Sequence, residues 1–129
     1  MASQGNQQKI LLVEDTEDNR FMMHRLLEMD GYIVVEARNG QEAVTIARAE
    51  KPQLILMDLS LPVIDGLAAT RLLRRIPEFA ETPIIAVSAH DTADFKAEAL
   101  AAGCNSYITK PIDFGELEEL IARLLALNY

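Results

Sequence analysis

The sequence predicts an α/β fold, a doubly wound five-stranded parallel sheet with five helices, and three observations predict it. From Lys9 onward, short apolar runs rich in Ile, Val and Leu alternate with segments of helical spacing. The runs are mostly continuous rather than alternating, the pattern of strands covered on both faces. No linker, repeat or low-complexity stretch breaks the alternation, so each helix is expected to serve as a right-handed crossover between parallel strands. A chain of 129 residues, 50% of them hydrophobic, suits one domain around one core.

The elements follow in order. Residues 1–8, "MASQGNQQ", are a polar tail expected to be disordered, and residues 9–127 form the domain. "KILLVE" (9–14) is the first strand. A helix over about 17–29 follows, its N-terminus favoured by Glu17 and Asp18 and its end marked by Gly31. "YIVVEA" (32–37) is the second strand, Gly40 sits at the turn after it, and a helix covers 40–50. "QLILMD" (53–58) is the third strand. The helix at 65–76 places Ala69, Leu72, Leu73 and Ile76 on one face. "PIIAVS" (83–88) precedes a helix at 91–102, with Asp91 as N-cap and Gly103 as stop. "SYITK" (106–110) is the last strand. The final helix, 113–127, has Asp113 as N-cap and Phe114, Leu117, Ile121 and Leu124 at helical spacing.

Composition narrows the function. A formal net charge of -8 argues against general affinity for nucleic acid or anionic membranes, which need a basic face, and favours basic partners or metal cations. The single cysteine, Cys104 in "AAGCNSY", has no intramolecular partner and reads as a small buried residue of a reducing compartment. No apolar segment approaches the roughly 20 residues that span a bilayer, and the N-terminus lacks a signal peptide's apolar region. The expected localisation is cytoplasmic.

In open parallel sheets, sites form where loops leave the carboxyl ends of the strands. Those ends carry Glu14 and Asp15, Asp58, Ser88 and Lys110. Crowded carboxylates destabilise one another unless a cation is bound or one of them is protonated. Magnesium suits oxygen ligands and binds through one or two carboxylates plus a phosphate oxygen. Zinc is disfavoured, because His24 and His90 are isolated from any second ligand of that kind. Taken singly, Ser88 reads equally as a turn cap, and the Lys110-Pro111 step as an ordinary strand-ending turn. Together they point to a carboxylate that attacks phosphorus beside magnesium and lysine. Asp58 is the expected nucleophile because it ends the central apolar strand, with Asp15 as direct metal ligand and Glu14 as ligand through water.

The segments "LLVEDTEDN", "LILMDLSLPVIDG", Ser88-Ala89 and "AGCNSYITKP", in this order and spacing, resemble the receiver domains of two-component response regulators, including the stand-alone chemotaxis type. The likeness covers about residues 9–127. It implies a flavodoxin-like sheet of strand order 2-1-3-4-5. It further implies that Asp58 takes a phosphoryl group from a phosphohistidine on a sensor histidine kinase or histidine phosphotransfer protein. Mg2+ would be held by Asp15, Asp58 and the Ser60 main-chain carbonyl, with Glu14 in support. Ser88 would bond the phosphoryl oxygen, Lys110 would pair with it, and Tyr107 would change rotamer as the Ser88 loop shifts. The added charge of about -1.5 to -2 would bias a two-state surface and change affinity for a downstream protein.

Two positions depart from the commonest pattern: the acidic pair is Glu-Asp rather than Asp-Asp, and Leu61 replaces a common methionine, a near-isosteric apolar change. Ser60 and His90 sit two residues beyond site residues, where the family varies. No DNA-binding segment follows Tyr129, so the resemblance is to a single-domain regulator acting through protein contacts. Arg71, Arg74 and Arg75 read as a solvated helix face with snorkelling side chains. Leu120, Leu125 and Leu127 widen the apolar stripe of the last helix, so a monomer or a weak dimer through the 91–127 face is expected. The rival enzyme is a haloacid-dehalogenase-like phosphohydrolase, which needs a second Asp where Ser60 stands. A flavin or dinucleotide module lacks its G-x-G-x-x-G loop, and a phosphate-independent pseudo-receiver would not need five chemically competent site residues.

Overall fold

A computed structural model of the chain describes residues 7–60 and 65–126. Five strands, β1 (Lys9–Val13), β2 (Ile33–Ala37), β3 (Leu54–Asp58), β4 (Ile84–Ser88) and β5 (Ser106–Thr109), alternate with α1 (Glu17–Met29), α2 (Gly40–Glu50), α3 (Gly66–Arg74), α4 (Ala93–Ala102) and α5 (Phe114–Ala126). The strands form one parallel sheet in the order β2-β1-β3-β4-β5, the doubly wound topology expected. Leu11 pairs with Val35 on one side and Ile55 on the other, and Ala86 pairs with Tyr107.

Successive strand residues point to opposite faces, and both faces here are covered, which is why the runs are continuously apolar. Leu11, Val13, Ile55, Met57, Ile84 and Ala86 pack with Ala43 and Ala47 of α2, Ala69 and Leu73 of α3 and Ala99 of α4. Ile10, Leu12, Leu54, Leu56, Ile85 and Ile108 pack with Met23 and Leu27 of α1 and Leu117, Leu120, Ile121 and Leu125 of α5. The one expected core is therefore two layers divided by the sheet. Burying each Leu or Ile contributes roughly 1.5–3 kcal/mol, so the central strand, buried along its whole length like its neighbour β4, is firmly held.

Several local expectations change. The N-cap of α4 is Thr92, whose side chain accepts from the Phe95 amide, and not Asp91. Asp113 does accept from the Glu116 amide at 3.1 Å, and Gly31 and Gly103 adopt the positive φ of 94° and 120° that glycine tolerates. The third helix stops at Arg74, and Pro77–Phe79 form a short 3-10 turn that buries Phe79. Leu72 is exposed rather than in the core.

Arg74 is not a snorkelling surface residue. It donates to the carbonyls of Phe79 and Thr82 at 2.7 Å each, to Gly103 at 2.8 Å and to Asn105 Oδ1 at 2.9 Å, tying the ends of α3 and α4 to the start of β4. Leu120 and Leu125 are buried in the α1/α5 layer, so they supply no spare stripe; Leu127 lies outside the described residues. Of the polar tail, residues 1–6 lie outside them too, whereas the Gln8 carbonyl accepts from the Ile33 amide and extends the sheet's edge.

Candidate functional site

Register brings the chemistry-bearing strand ends to one level. Val13 pairs with Met57, so Glu14 follows β1 where Asp58 ends β3. Asp58 pairs with Val87, which sets Ser88 one position beyond, and the Lys110 amide donates to the Ser88 carbonyl at 2.8 Å. Glu14, Asp58 and Ser88 are buried, while Asp15 is exposed.

Glu14, Asp15 and Asp58 bring carboxylate oxygens within 4.8 Å of one another. Lys110 Nζ lies 3.2 Å from Asp58 Oδ2 and 3.9 Å from Glu14 Oε1. The other Asp58 oxygen, Oδ1, accepts the Ser60 amide at 2.8 Å, so the β3 carboxylate is held at both ends. Ser60 itself is exposed. Glu14 Oε2 accepts the Thr16 amide at 3.0 Å, closing the acidic turn on itself.

The Lys110 ammonium meets two of the three clustered carboxylates, Asp58 and Glu14, and the electrostatics record the imbalance. Burial pushes the Glu14 carboxyl above its ordinary value, the charge of Asp58 and a hydrogen bond shared with it push the same way, and the Thr16 amide and Lys110 oppose them. An all-oxygen donor set with surplus negative charge fits a hard divalent cation. Beside these charges lies a cavity of about 400 Å³ with largely apolar walls, including Met22, Met23, Leu26 and Phe114, where charges are weakly screened.

The remaining predicted residues, Ser88 at the end of β4 and Tyr107 on β5, meet the loop that leads to α4. The fully buried Ser88 hydroxyl accepts the His90 amide at 3.0 Å. Tyr107 is half-buried, and its hydroxyl donates to the His90 carbonyl at 2.7 Å, joining β5 to the loop after Ser88. The His90 ring is stacked on Phe95 of α4, with centroids 4.2 Å apart and an interplanar angle of 10°. The segment 61–64 of "LPVIDG", Leu61 included, lies outside the described residues. Past it, Gly66 begins α3 against the backbone of Asp58 and Leu59, so close that a Cβ there would stand 2.7 Å from Leu59 Cα.

Sequence reading missed Arg20. From the first turn of α1 its Nη1 donates to the Glu14 carbonyl at 3.0 Å and to the Asp15 carbonyl at 3.4 Å. The available signal was its place five residues after Asp15, on a helix whose side chains lean back toward the N-terminus. Cys104 is buried, and desolvation pushes its thiol pKa up, as suits an inert core residue.

The comparisons agree with this geometry. Residues 10–122 match the family model of the response regulator receiver domain. The chain is 38% identical over 116 residues to the polar-differentiation response regulator DivK of Brucella anthropi, covering 90% of this chain and 94% of that protein. It is 36% identical over 118 residues to protein PilH of Pseudomonas aeruginosa, covering 92% and 98%. Among solved structures, the receiver domain of a Pseudomonas aeruginosa sensor histidine kinase, with a magnesium ion coordinated in its active site cleft, superposes with a TM-score of 0.87 at 37% identity, covering 93% and 98%. The chemotaxis response regulator CheY4 of Vibrio cholerae gives 0.87 at 27%, covering 92% and 99%. A parallel sheet of this order, an acidic cluster at its carboxyl edge and a match along most of the chain lead to one conclusion: the protein belongs to the response regulator receiver domain family of two-component signalling.

Proposed function

We propose that this protein is a phosphorylation switch whose receiver domain spans 9–127 and whose phosphoacceptor is Asp58. The observation that carries the reading is the buried Asp58 carboxylate, paired with Lys110 at 3.2 Å inside a cluster that holds two further carboxylates. The donor is a phosphohistidine on a sensor histidine kinase or histidine phosphotransfer protein. An Asp58 oxygen attacks phosphorus, a P–O bond forms as the P–N bond breaks, and the imidazole keeps the electron pair and takes up a proton. A buried strand end holds the nucleophile in place, which reduces the entropy lost on reaching the transition state.

Asp15, Asp58 and the Ser60 carbonyl would hold magnesium, with Glu14 acting through water; bound there, the ion neutralises charge on the equatorial oxygens of the transferring group. Lys110 shares that task from the β5 side. Ser88, whose hydroxyl oxygen accepts the His90 amide, donates its hydroxyl proton to a phosphoryl oxygen as its loop shifts, and Tyr107, anchored to the same loop by its hydroxyl, changes rotamer with it. The outcome is a changed α4–β5–α5 surface with altered affinity for a downstream protein. The protein acts as a monomer or a weak dimer through the 91–127 face, the burial of Leu120 and Leu125 favouring the monomer, in a cytoplasmic setting where such kinases deliver phosphate. No helix of the described residues is long and apolar enough to cross a membrane.

The test is uptake of phosphate from a small acyl phosphate donor. We expect one phosphate per chain with magnesium present and none with excess chelator. Equal uptake with and without magnesium contradicts the metal assignment. A hydrolase would instead release inorganic phosphate from monoesters in repeated turnover, which this site, with Ser60 in place of the needed acid, is expected not to do.

A further inference from the structure

Arg20 belongs to none of the groups that would touch the metal or the phosphate, yet it is more confined than a surface arginine, its side chain being 12% exposed. Its guanidinium meets two consecutive carbonyls, those of Glu14 and Asp15, through Nη1. Its Nε lies 3.4 Å from Glu36 Oε1 on β2. The second oxygen of Glu36 is engaged as well, 2.6 Å from His24 Nδ1, and His24 Nε2 lies 3.2 Å from Glu28 Oε2. The guanidinium is thus fixed from behind by a carboxylate that is itself fixed. On the other side of the same turn, the Glu14 amide donates to the Ala37 carbonyl at 3.0 Å.

We propose that Arg20, braced by Glu36, is a positioning residue that sets the magnesium affinity of the acidic turn; this rests on the magnesium reading given above. With both carbonyls turned to the guanidinium, the backbone between β1 and α1 is held in the one conformation that brings the Glu14 and Asp15 carboxylates to Asp58. A planar fork suits this bridging of two acceptors, whereas an ammonium supplies charge without the fixed geometry. The role is separable from simple electrostatics by sign. A nearby positive charge alone repels the ion, so its removal would tighten binding, whereas loss of the brace weakens it. Groups that orient metal ligands from behind typically change affinity by 10–100-fold when removed.

The experiment titrates the full chain with magnesium chloride by calorimetry, in the unaltered protein and in Arg20→Ala, Arg20→Lys and Glu36→Gln, with circular dichroism to verify folding. Exchange of the Thr16 amide, which Glu14 Oε2 accepts, is measured without metal as a report on the turn. Arg20→Ala is expected to weaken magnesium binding about tenfold and to speed Thr16 exchange. Arg20→Lys is expected to recover less than half of that loss on a logarithmic scale, and Glu36→Gln to weaken binding in the same direction with Arg20 intact. Unchanged or tighter binding in Arg20→Ala, or full recovery by lysine, overturns the proposal. If the unaltered chain takes up no magnesium, the metal reading falls together with this one; if it binds and Arg20→Ala binds equally, only the role of Arg20 falls.

Discussion

Glu14 carries the electrostatic strain of the acidic pocket. Its carboxyl is held above the ordinary value of 4.5 chiefly by burial, and then by Asp58. A folded-state pKa raised above the unfolded one means that the native state binds its proton more tightly. Between 4.5 and the raised value the native protein holds more protons than the unfolded chain, so this group lowers stability as pH rises through that window. In metal-free protein, Glu14→Gln should therefore be more stable than the parent at neutral pH, and the difference should fade as pH drops through 4.5 and vanish well below it, where the parent's Glu14 is protonated in both states. Thermal melts of the two proteins across pH check this; a gain that persists undiminished at low pH contradicts it. At this scale the carboxylates and Lys110 were legible because strand ends in a parallel sheet converge, whichever side chains they carry. Arg20 and Arg74 were not, since their partners are mostly main-chain carbonyls, which any residue type supplies and no side-chain pattern marks; only the spacing of Arg20 after Asp15 offered a signal.

Among the elements, α3 decides how firmly Asp58 is framed. Its first residue, Gly66, abuts the Asp58 carbonyl and the Leu59 backbone, and its amide donates to the Leu59 carbonyl at 3.4 Å. Because the obstructing atoms are backbone, a methyl group cannot be accommodated by a side-chain rotation. Gly66→Ala should cost about 1–3 kcal/mol of stability, the usual range for overpacking, and should slow phosphate uptake by displacing the β3–α3 connection. Urea denaturation and the uptake rate measure the two effects; an unchanged rate in a destabilised variant would show that the contact supports the fold alone. The strands were readable as continuous apolar runs, since the inner ones are covered on both faces, and several helices from their apolar spacing, whereas α4 shows no such face and was read from its place between strands and turn residues. Helix ends were read less well. The early stop of α3 follows from the chain being drawn into the 3-10 turn that buries Phe79, and the Thr92 cap displaces Asp91 by one residue.

For the whole molecule, the sheet separates two apolar layers and gathers one acidic pocket at its carboxyl edge. The layers hold the strand ends that frame the pocket, and the pocket's surplus negative charge suits a cation. That division was visible in the sequence as apolar runs ending in charged residues. The joining of the His90 loop to Tyr107 and Phe95 was not, because it depends on which way an exposed loop folds back. The proposed role of the pocket is phosphorylation of Asp58. It is tested most directly by treating the chain and its Asp58→Asn variant with an acyl phosphate donor and magnesium, then weighing the intact proteins by mass spectrometry. The parent is expected to gain one phosphate of about 80 Da, labile to acid and alkali as an acyl phosphate is, and Asp58→Asn none. A phosphate of the same lability on Asp58→Asn would contradict it.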